Sequence, residues 1–142
     1  MQKVSDIMTR GIRTMAPSDT ITAAAQAMRE LDVGSLPVCD GTKMLGMVTD
    51  RDIVVRAVAQ ERMNAPLSEV MSEGLLYCNE DDSVEAAFES MSKQQVRRLP
   101  VVDNNKKLVG IVSLGDLATK SNSDGAGEAI RDISEPSEPD RA

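Results

Sequence analysis

Residues 4–40 of this chain align on residues 67–103 at a constant offset of 63, without a gap. Met8 falls on Met71, Gly11 on Gly74, Asp19 on Asp82 and Met28 on Met91. The run Val33-Gly34-Ser35-Leu36-Pro37-Val38-Cys39-Asp40 falls on Val96-Arg97-Arg98-Leu99-Pro100-Val101-Val102-Asp103. One extra residue then enters the second copy and the offset becomes 64. Gly46-Met47-Val48-Thr49-Asp50-Arg51-Asp52 thereby lands on Gly110-Ile111-Val112-Ser113-Leu114-Gly115-Asp116. Two tandem units of this kind imply a pseudo-twofold arrangement with paired sites between the halves, which is where function is to be sought.

Composition removes several classes of function. The chain has 142 residues and no histidine. Histidine general acid–base catalysis, His metal ligands and His pH switching are absent with it. One Phe, one Tyr and no Trp leave little for stacking nucleic-acid bases, and a net charge of −7 argues against a nucleic-acid face. No apolar run approaches the ~20 residues of a membrane helix. The N-terminal Met-Gln-Lys-Val-Ser-Asp has no secretory apolar region, so a cytoplasmic location is expected. Cys39 and Cys78 each sit in a short apolar run without a Cys-x-x-Cys pattern. They read as two reduced core thiols rather than a redox pair.

Each repeat reads as strand, helix, strand, strand, helix. In the first, Ile12-Arg13-Thr14 is expected as a short strand, and Pro17–Thr20 supplies turn and N-cap chemistry. Ile21, Ala24, Ala25, Met28 and Leu31 follow at helical spacing over about three turns. Leu36–Cys39 and Leu45–Thr49 read as strands about a turn at Gly41–Lys43, and Asp52–Ala59 as a second helix. In the other repeat Leu75–Cys78 is the first strand, and Ser83 caps a helix bearing Val84, Ala87, Phe88 and Met91. Leu99–Val102 and Leu108–Ser113 are strands and Asp116 opens the last helix. The expected division is 1–61, 62–120 and a tail, 121–142, with six acids against two bases and a linker-like, Pro- and Ser-rich composition.

Met8…Ile12, the amphipathic helix, Val33-x-x-Leu36-Pro37-Val38 and Gly46-x-Val48-Thr49-x-x-Asp52 together resemble a CBS motif. The second copy matches equally well, so the chain resembles a stand-alone bacterial CBS pair, or Bateman module, over residues 3–120. The resemblance implies an α+β fold of two βαββα motifs packed about a pseudo-twofold axis. It also implies homodimerisation as a flat disc, and adenine nucleotides (AMP, ADP, ATP or NAD-like) bound as regulatory ligands in clefts between the motifs. No metal and no required cofactor is implied.

The residues of those clefts admit two readings. Thr49 ends a strand and Asp52 stands near the start of a helix, where free backbone N–H groups favour an anion. The Thr49 hydroxyl can donate to a phosphate, and the Asp52 carboxylate can accept from two ribose hydroxyls. Ser113 and Asp116 repeat the pattern. Equally, Thr49 and Ser113 can cap helices, with Asp52 and Asp116 favouring the helix dipole. Sequence physics alone favours capping; the resemblance favours ligand contact. It further implies a crosswise cleft. Thr49 and Asp52 then pair with Leu75–Asn79 and with Val96, Arg97 and Arg98. Ser113 and Asp116 pair with Ile12–Ala16 and with Val33, Gly34 and Ser35, Arg51 being the nearest cation. Arginines at one hinge only imply unequal clefts. Ile12, Val33, Met47, Val96 and Ile111 would close an apolar adenine pocket, and are equally plausible as core.

Two further readings compete with a nucleotide sensor acting on an effector protein in trans. One is a protein-interaction scaffold with vestigial clefts, using the dimer surface and acidic tail. The other is an enzyme, which the absence of histidine, a nucleophile elbow, a Gly-Lys-Ser/Thr phosphate loop and clustered metal ligands disfavours. Ile53-Val54-Val55 and Leu117-Ala118 are the expected dimer faces.

Overall fold

The computed structural model describes residues 2–72 and 76–120. Leu75, Gly74 and the acidic tail lie outside the described residues. The chain forms two compact units that interleave in sequence. One holds Ile12–Leu76 with Asn105–Leu108; the other holds the chain up to Gly11, Tyr77–Asn104 and the residues from Val109 on. The short segment leading into each repeat therefore belongs to the unit built mainly from the other repeat.

In the first unit, Thr20 caps helix α1 (Ile21–Leu31) by accepting from the Ala23 amide at 3.0 Å. Ile21, Ala24, Ala27 and Met28 are buried. This differs from the expected stripe: Ala25 is exposed and so is Leu31, because the buried face follows residues 21, 24, 27 and 28 around the helix. Asp32 ends α1 in the left-handed region at φ 55° and turns the chain into β1 (Ser35–Asp40). β1 pairs antiparallel with β2 (Lys43–Thr49), so that Ser35 faces Thr49. Cys39 faces Met44 while Val38 faces Gly46, and Leu45 is taken up in a bulge.

The expected strand at Ile12–Thr14 does not form. The pairing is a single bridge, Met15 to Val38, since only Met15 of this segment turns into the core. The second helix begins two residues earlier than expected. Helix α2 (Asp50–Asp52) runs on as a π-helical segment, Ile53–Val58. Its wider turn shows in the Ala59 amide donating to the Val54 carbonyl at 2.9 Å. A 3₁₀ turn, Leu67–Glu69, follows, and Met47 and Ser72 then bridge antiparallel. Leu67, Val70 and Met71 join Ile21, Met28, Leu36, Val38, Val48 and Ile53 in one core cluster.

The second unit repeats this plan. Ser83 caps helix α3 (Val84–Gln94), whose Val84, Ala87, Phe88 and Met91 are buried as expected. Gln95 takes the left-handed position at φ 54°. Strand β3 is only Cys78–Asn79 and runs parallel to β4 (Arg98–Val102), with β5 (Leu108–Ser113) on the other side of β4. Helix α4 (Leu114–Lys120) starts two residues before Asp116. A 3₁₀ turn at Val4–Asp6 leads to a bridge between Thr9 and Ile111.

Glycine is required where these lead segments dock. A Cβ on Gly46 would stand 2.5 Å from the Ser72 carbonyl oxygen, and one on Gly110 would stand 2.8 Å from that of Thr9. The glycine of the Gly-x-Val-Thr/Ser pattern thus lets a foreign segment add to the strand.

Candidate functional site

Each repeat carries one carboxylate held in the same way. The Thr49 hydroxyl accepts from the Asp52 amide at 3.0 Å, and the Thr49 amide donates to Asp52 Oδ2 at 3.0 Å. In the second repeat the Ser113 hydroxyl and the Asp116 amide, and the Ser113 amide and Asp116 Oδ2, make the same two bonds at 3.0 Å each. These are reciprocal capping boxes, so the capping reading of these residues is realised. It does not exhaust them. Each hydroxyl accepts through its oxygen and keeps a proton to donate, and each carboxylate keeps an oxygen, Oδ1, outside the box.

A second hydroxyl reaches each carboxylate from a lead segment. Ser72 Oγ donates to Asp52 Oδ1 and Oδ2 at 3.4 Å each, and Thr9 Oγ1 donates to Asp116 Oδ2 at 3.5 Å. A cation one turn along the helix completes each set. Arg56 Nε lies 3.8 Å from Asp52 Oδ1, and Lys120 Nζ lies 3.0 Å from Asp116 Oδ1. The two carboxylates sit at nearly equal depth, the Asp52 side chain 11% exposed and that of Asp116 13%. A buried carboxylate is tolerated only when paired and hydrogen-bonded, as Asp52 is.

These four supporting residues carry no weight in the sequence reading. The signal was available: Thr9 and Ser72 are hydroxyls at the offset of 63, and Arg56 and Lys120 are cations at the offset of 64.

Each motif is tied by a backbone hydrogen bond to the hinge of its own repeat. The Asp50 amide donates to the Gly34 carbonyl at 2.9 Å, and the Leu114 amide to the Arg97 carbonyl at 2.8 Å. The reason is elementary for β1 and β2. An antiparallel hairpin that sets Ser35 opposite Thr49 must set the residue before one strand beside the residue after the other. Arg97 thus has its backbone beside Ser113 and Asp116, and Gly34 is the hinge beside Thr49 and Asp52. What each motif does take from across the repeat boundary is the lead-segment hydroxyl.

Arg51, Arg97 and Arg98 are exposed, while Ile12, Val33, Ser35, Met47, Val96 and Ile111 are half-buried. Half-burial leaves apolar surface at these positions that a complete core would have covered. Cys39 and Cys78 are free and buried. Burial raises the Cys39 pKa; burial and then the negative charge of Asp82 push Cys78 up to about 12. Neither thiol is primed as a nucleophile. Among the described residues no group of His, Cys, Asp and Glu is arranged to hold a metal ion, and no helix is long and apolar enough to cross a membrane.

A duplicated α+β motif with a carboxylate box at the end of each second hairpin strand defines the class. The CBS-domain family model matches residues 4–58 and 67–123, and the chain belongs to that family. It is 46% identical over 136 residues to the CBS domain-containing protein YhcV of Bacillus subtilis, covering 94% of this chain and 96% of that one. It is 39% identical over 121 residues to Hypoxic response protein 1 of Mycobacterium tuberculosis, covering 83% and 84%. Among solved structures, Hypoxic Response Protein I with two coordinated zinc ions matches with a TM-score of 0.76 at 38% identity, over 84% of this chain and 99% of that one. CBSX2 in complex with AMP matches with a TM-score of 0.76 at 25% identity, over 85% and 96%. The CBS pair of MJ0100, in complex with 5′-methylthioadenosine and S-adenosylmethionine, matches with a TM-score of 0.72 at 29% identity, over 83% and 94%.

Proposed function

We propose that this CBS pair is a cytoplasmic, non-catalytic sensor that binds adenine nucleotides and passes their presence to an effector protein in trans. The observation that carries the reading is the duplicated carboxylate box. Asp52 and Asp116 are held rigidly with one oxygen outside the box, as an acceptor for vicinal ribose hydroxyls must be, and Thr49 and Ser113 each keep a hydroxyl proton for a phosphate. The adenosine-containing ligands of the CBSX2 and MJ0100 structures support the same ligand class. AMP, ADP, ATP and NAD are the candidates. Ile12, Val33, Met47, Val96 and Ile111 are proposed as adenine contacts.

Thermal unfolding with and without each nucleotide tests this. A ligand that binds only the folded state adds about 2.7 kcal/mol at a hundredfold excess over its dissociation constant. The Asp52→Ala/Asp116→Ala double variant should lose most of that gain. Retention of the full gain would move the site elsewhere.

The scaffold reading has one specific support. Val54, Val55 and Val58 are 58%, 44% and 53% exposed on the π-helical segment. We assign this apolar face to a second copy of the chain, since a pair of this size has limited core of its own. Of the expected dimer faces, Val54 and Val55 are available and Ala118 is exposed, but Ile53 and Leu117 are buried in their own units. Native mass spectrometry reads dimer mass and co-purified nucleotide together. A dimer that carries and takes up no nucleotide would favour the scaffold.

A further inference from the structure

We infer that Arg56 is a positioning residue that ties the Asp52 carboxylate to the backbone of residues 70–72, and that the second repeat has no equivalent tie. The inference rests on, and deepens, the reading of Asp52 as a nucleotide contact.

The geometry forms a closed circuit. Arg56 Nε lies 3.8 Å from Asp52 Oδ1 while Arg56 Nη1 donates to the carbonyls of Met71 at 3.2 Å and Val70 at 3.5 Å. Ser72, the next residue, returns its hydroxyl to the same carboxylate at 3.4 Å. Its amide donates to the Met47 carbonyl at 2.8 Å, and the Met47 amide donates to the Ser72 carbonyl at 3.2 Å. One guanidinium therefore spans an anion and two carbonyls, which a planar fork of five donors allows. A diol that donates to Asp52 Oδ1 meets Arg56 and Ser72 at that oxygen. Fixing the carboxylate fixes both, and through them the segment from Val70 to Ser72.

The second repeat has Lys120 at the position of Arg56. Its ammonium reaches Asp116 Oδ1 at 3.0 Å, and among the described residues no carbonyl contact accompanies it. A lysine is a point charge on a flexible stem and closes on the carboxylate alone. The helices differ too: Arg56 sits in the π-helical segment, Lys120 in a regular α-helix. An inserted π turn is a recurrent feature of functional positions. Occupancy at Asp52 is thus relayed to residues 70–72 through the guanidinium as well as the Ser72 hydroxyl, whereas occupancy at Asp116 reaches Thr9 through its hydroxyl alone.

Hydrogen exchange of the full-length protein, read by mass spectrometry with and without AMP, tests this. Without ligand, Arg56→Gln should speed exchange across Val70–Ser72 by about fivefold, while Lys120→Gln leaves Met8–Thr9 near the unsubstituted rate. AMP should slow Val70–Ser72 in the unsubstituted protein, and Arg56→Gln should lose that slowing. Arg56→Lys keeps the charge and guards against loss of fold; it should behave like Arg56→Gln in exchange. Lys120→Arg should gain AMP-dependent slowing at Met8–Thr9. Unchanged exchange at Val70–Ser72 in both Arg56 variants would overturn the tie. Failure of the unsubstituted protein to bind any adenine nucleotide would overturn the nucleotide reading instead, and the ligand-free arm would still decide whether the tie exists.

Discussion

The two repeats solve one problem with unequal means. Each must hold a carboxylate at the end of a hairpin, and each uses a hydroxyl cap, a lead-segment hydroxyl and a cation one helical turn away. In the first repeat the carboxylate is buried and its cation is an arginine that also holds two carbonyls. In the second the carboxylate lies about as deep, 13% exposed against 11%, but its cation is a lysine for which, among the described residues, no carbonyl contact is seen. A difference of one residue type on a shared scaffold adds two backbone contacts to the first box. Duplication preserves the box; divergence sets what the box is connected to.

The largest expected effect tests the docking of the lead segments. Gly46→Ala puts a methyl 2.5 Å from a backbone carbonyl, whereas Gly110→Ala first meets the flexible Met8 sulfur and the Thr9 carbonyl, both at 2.8 Å. Overpacking a backbone contact costs about 3 kcal/mol, and a contact whose neighbour can partly yield about 2 kcal/mol. Urea unfolding should rank Gly46→Ala as the more damaging. The reverse order would mean that the second lead segment is held more tightly than its geometry indicates.

Next comes the buried carboxylate itself. Asp52→Ala strands the Thr49 amide, removes the acceptor of the Ser72 hydroxyl and leaves Arg56 with its carbonyls but no anion. Leaving half-buried donors short of a partner costs about 2 kcal/mol. Asp116→Ala breaks the same cap, but its lead-segment donor Thr9 is exposed where Ser72 is half-buried, so water can replace that bond and about 1 kcal/mol is expected. Equal losses would erase the distinction between the repeats.

Much of this was legible in the sequence. The repeat, with its single inserted residue, located both boxes, and Thr49/Asp52 and Ser113/Asp116 do pair. Hydrophobic spacing and the Ser83 cap placed α3 with its buried residues. What was hidden had physical causes. Ala25 and Ala27 are indistinguishable by hydrophobicity, and only packing chose the second. The strand at Ile12–Thr14 shrank to one bridge because pairing is a property of the partner, not of the segment. The π turn after Asp52 is a backbone choice that periodicity does not report. The role of Arg56 needed residues 70 and 71 to be brought beside it across the repeat boundary.

The hinges give a smaller effect. The Leu114–Arg97 bond places the arginine-bearing hinge beside Ser113 and Asp116. Arg97→Gln/Arg98→Gln should therefore weaken nucleotide binding about tenfold at the Ser113/Asp116 site and leave the Thr49/Asp52 site near normal, since charge-assisted contacts are about twice as strong as neutral ones. Calorimetry of this variant against the Asp52→Ala and Asp116→Ala backgrounds separates the sites. Loss at Thr49/Asp52 instead would return these arginines to the crosswise pairing that the family resemblance implies.

The smallest effect separates the two thiols, one in each repeat. In the unfolded chain a cysteine ionises near 9.0, but in the fold Cys78 is pushed up to about 12 by burial and the charge of Asp82, and its Sγ donates to the Pro100 carbonyl at 3.8 Å. Cys39 is raised by burial alone. A raised pKa means that the folded thiol keeps a proton that the unfolded one releases above pH 9. The unfolded state then binds fewer protons, so stability is intact below pH 9 and falls as pH climbs toward 12. The slope for each thiol is at most about 1.4 kcal/mol per pH unit. Urea midpoints at pH 8 and 10.5 should therefore fall less steeply for Cys78→Ala than for the unsubstituted protein, with a weaker correction for Cys39→Ala. Alkylation of the native protein by iodoacetamide should be faster at Cys39 than at Cys78, because the thiolate is the nucleophile and the Cys78 thiol is pushed up to about 12. Faster labelling of Cys78 would show that its segment opens more readily than the first repeat's β1, and would place the weaker half of the molecule in the second repeat.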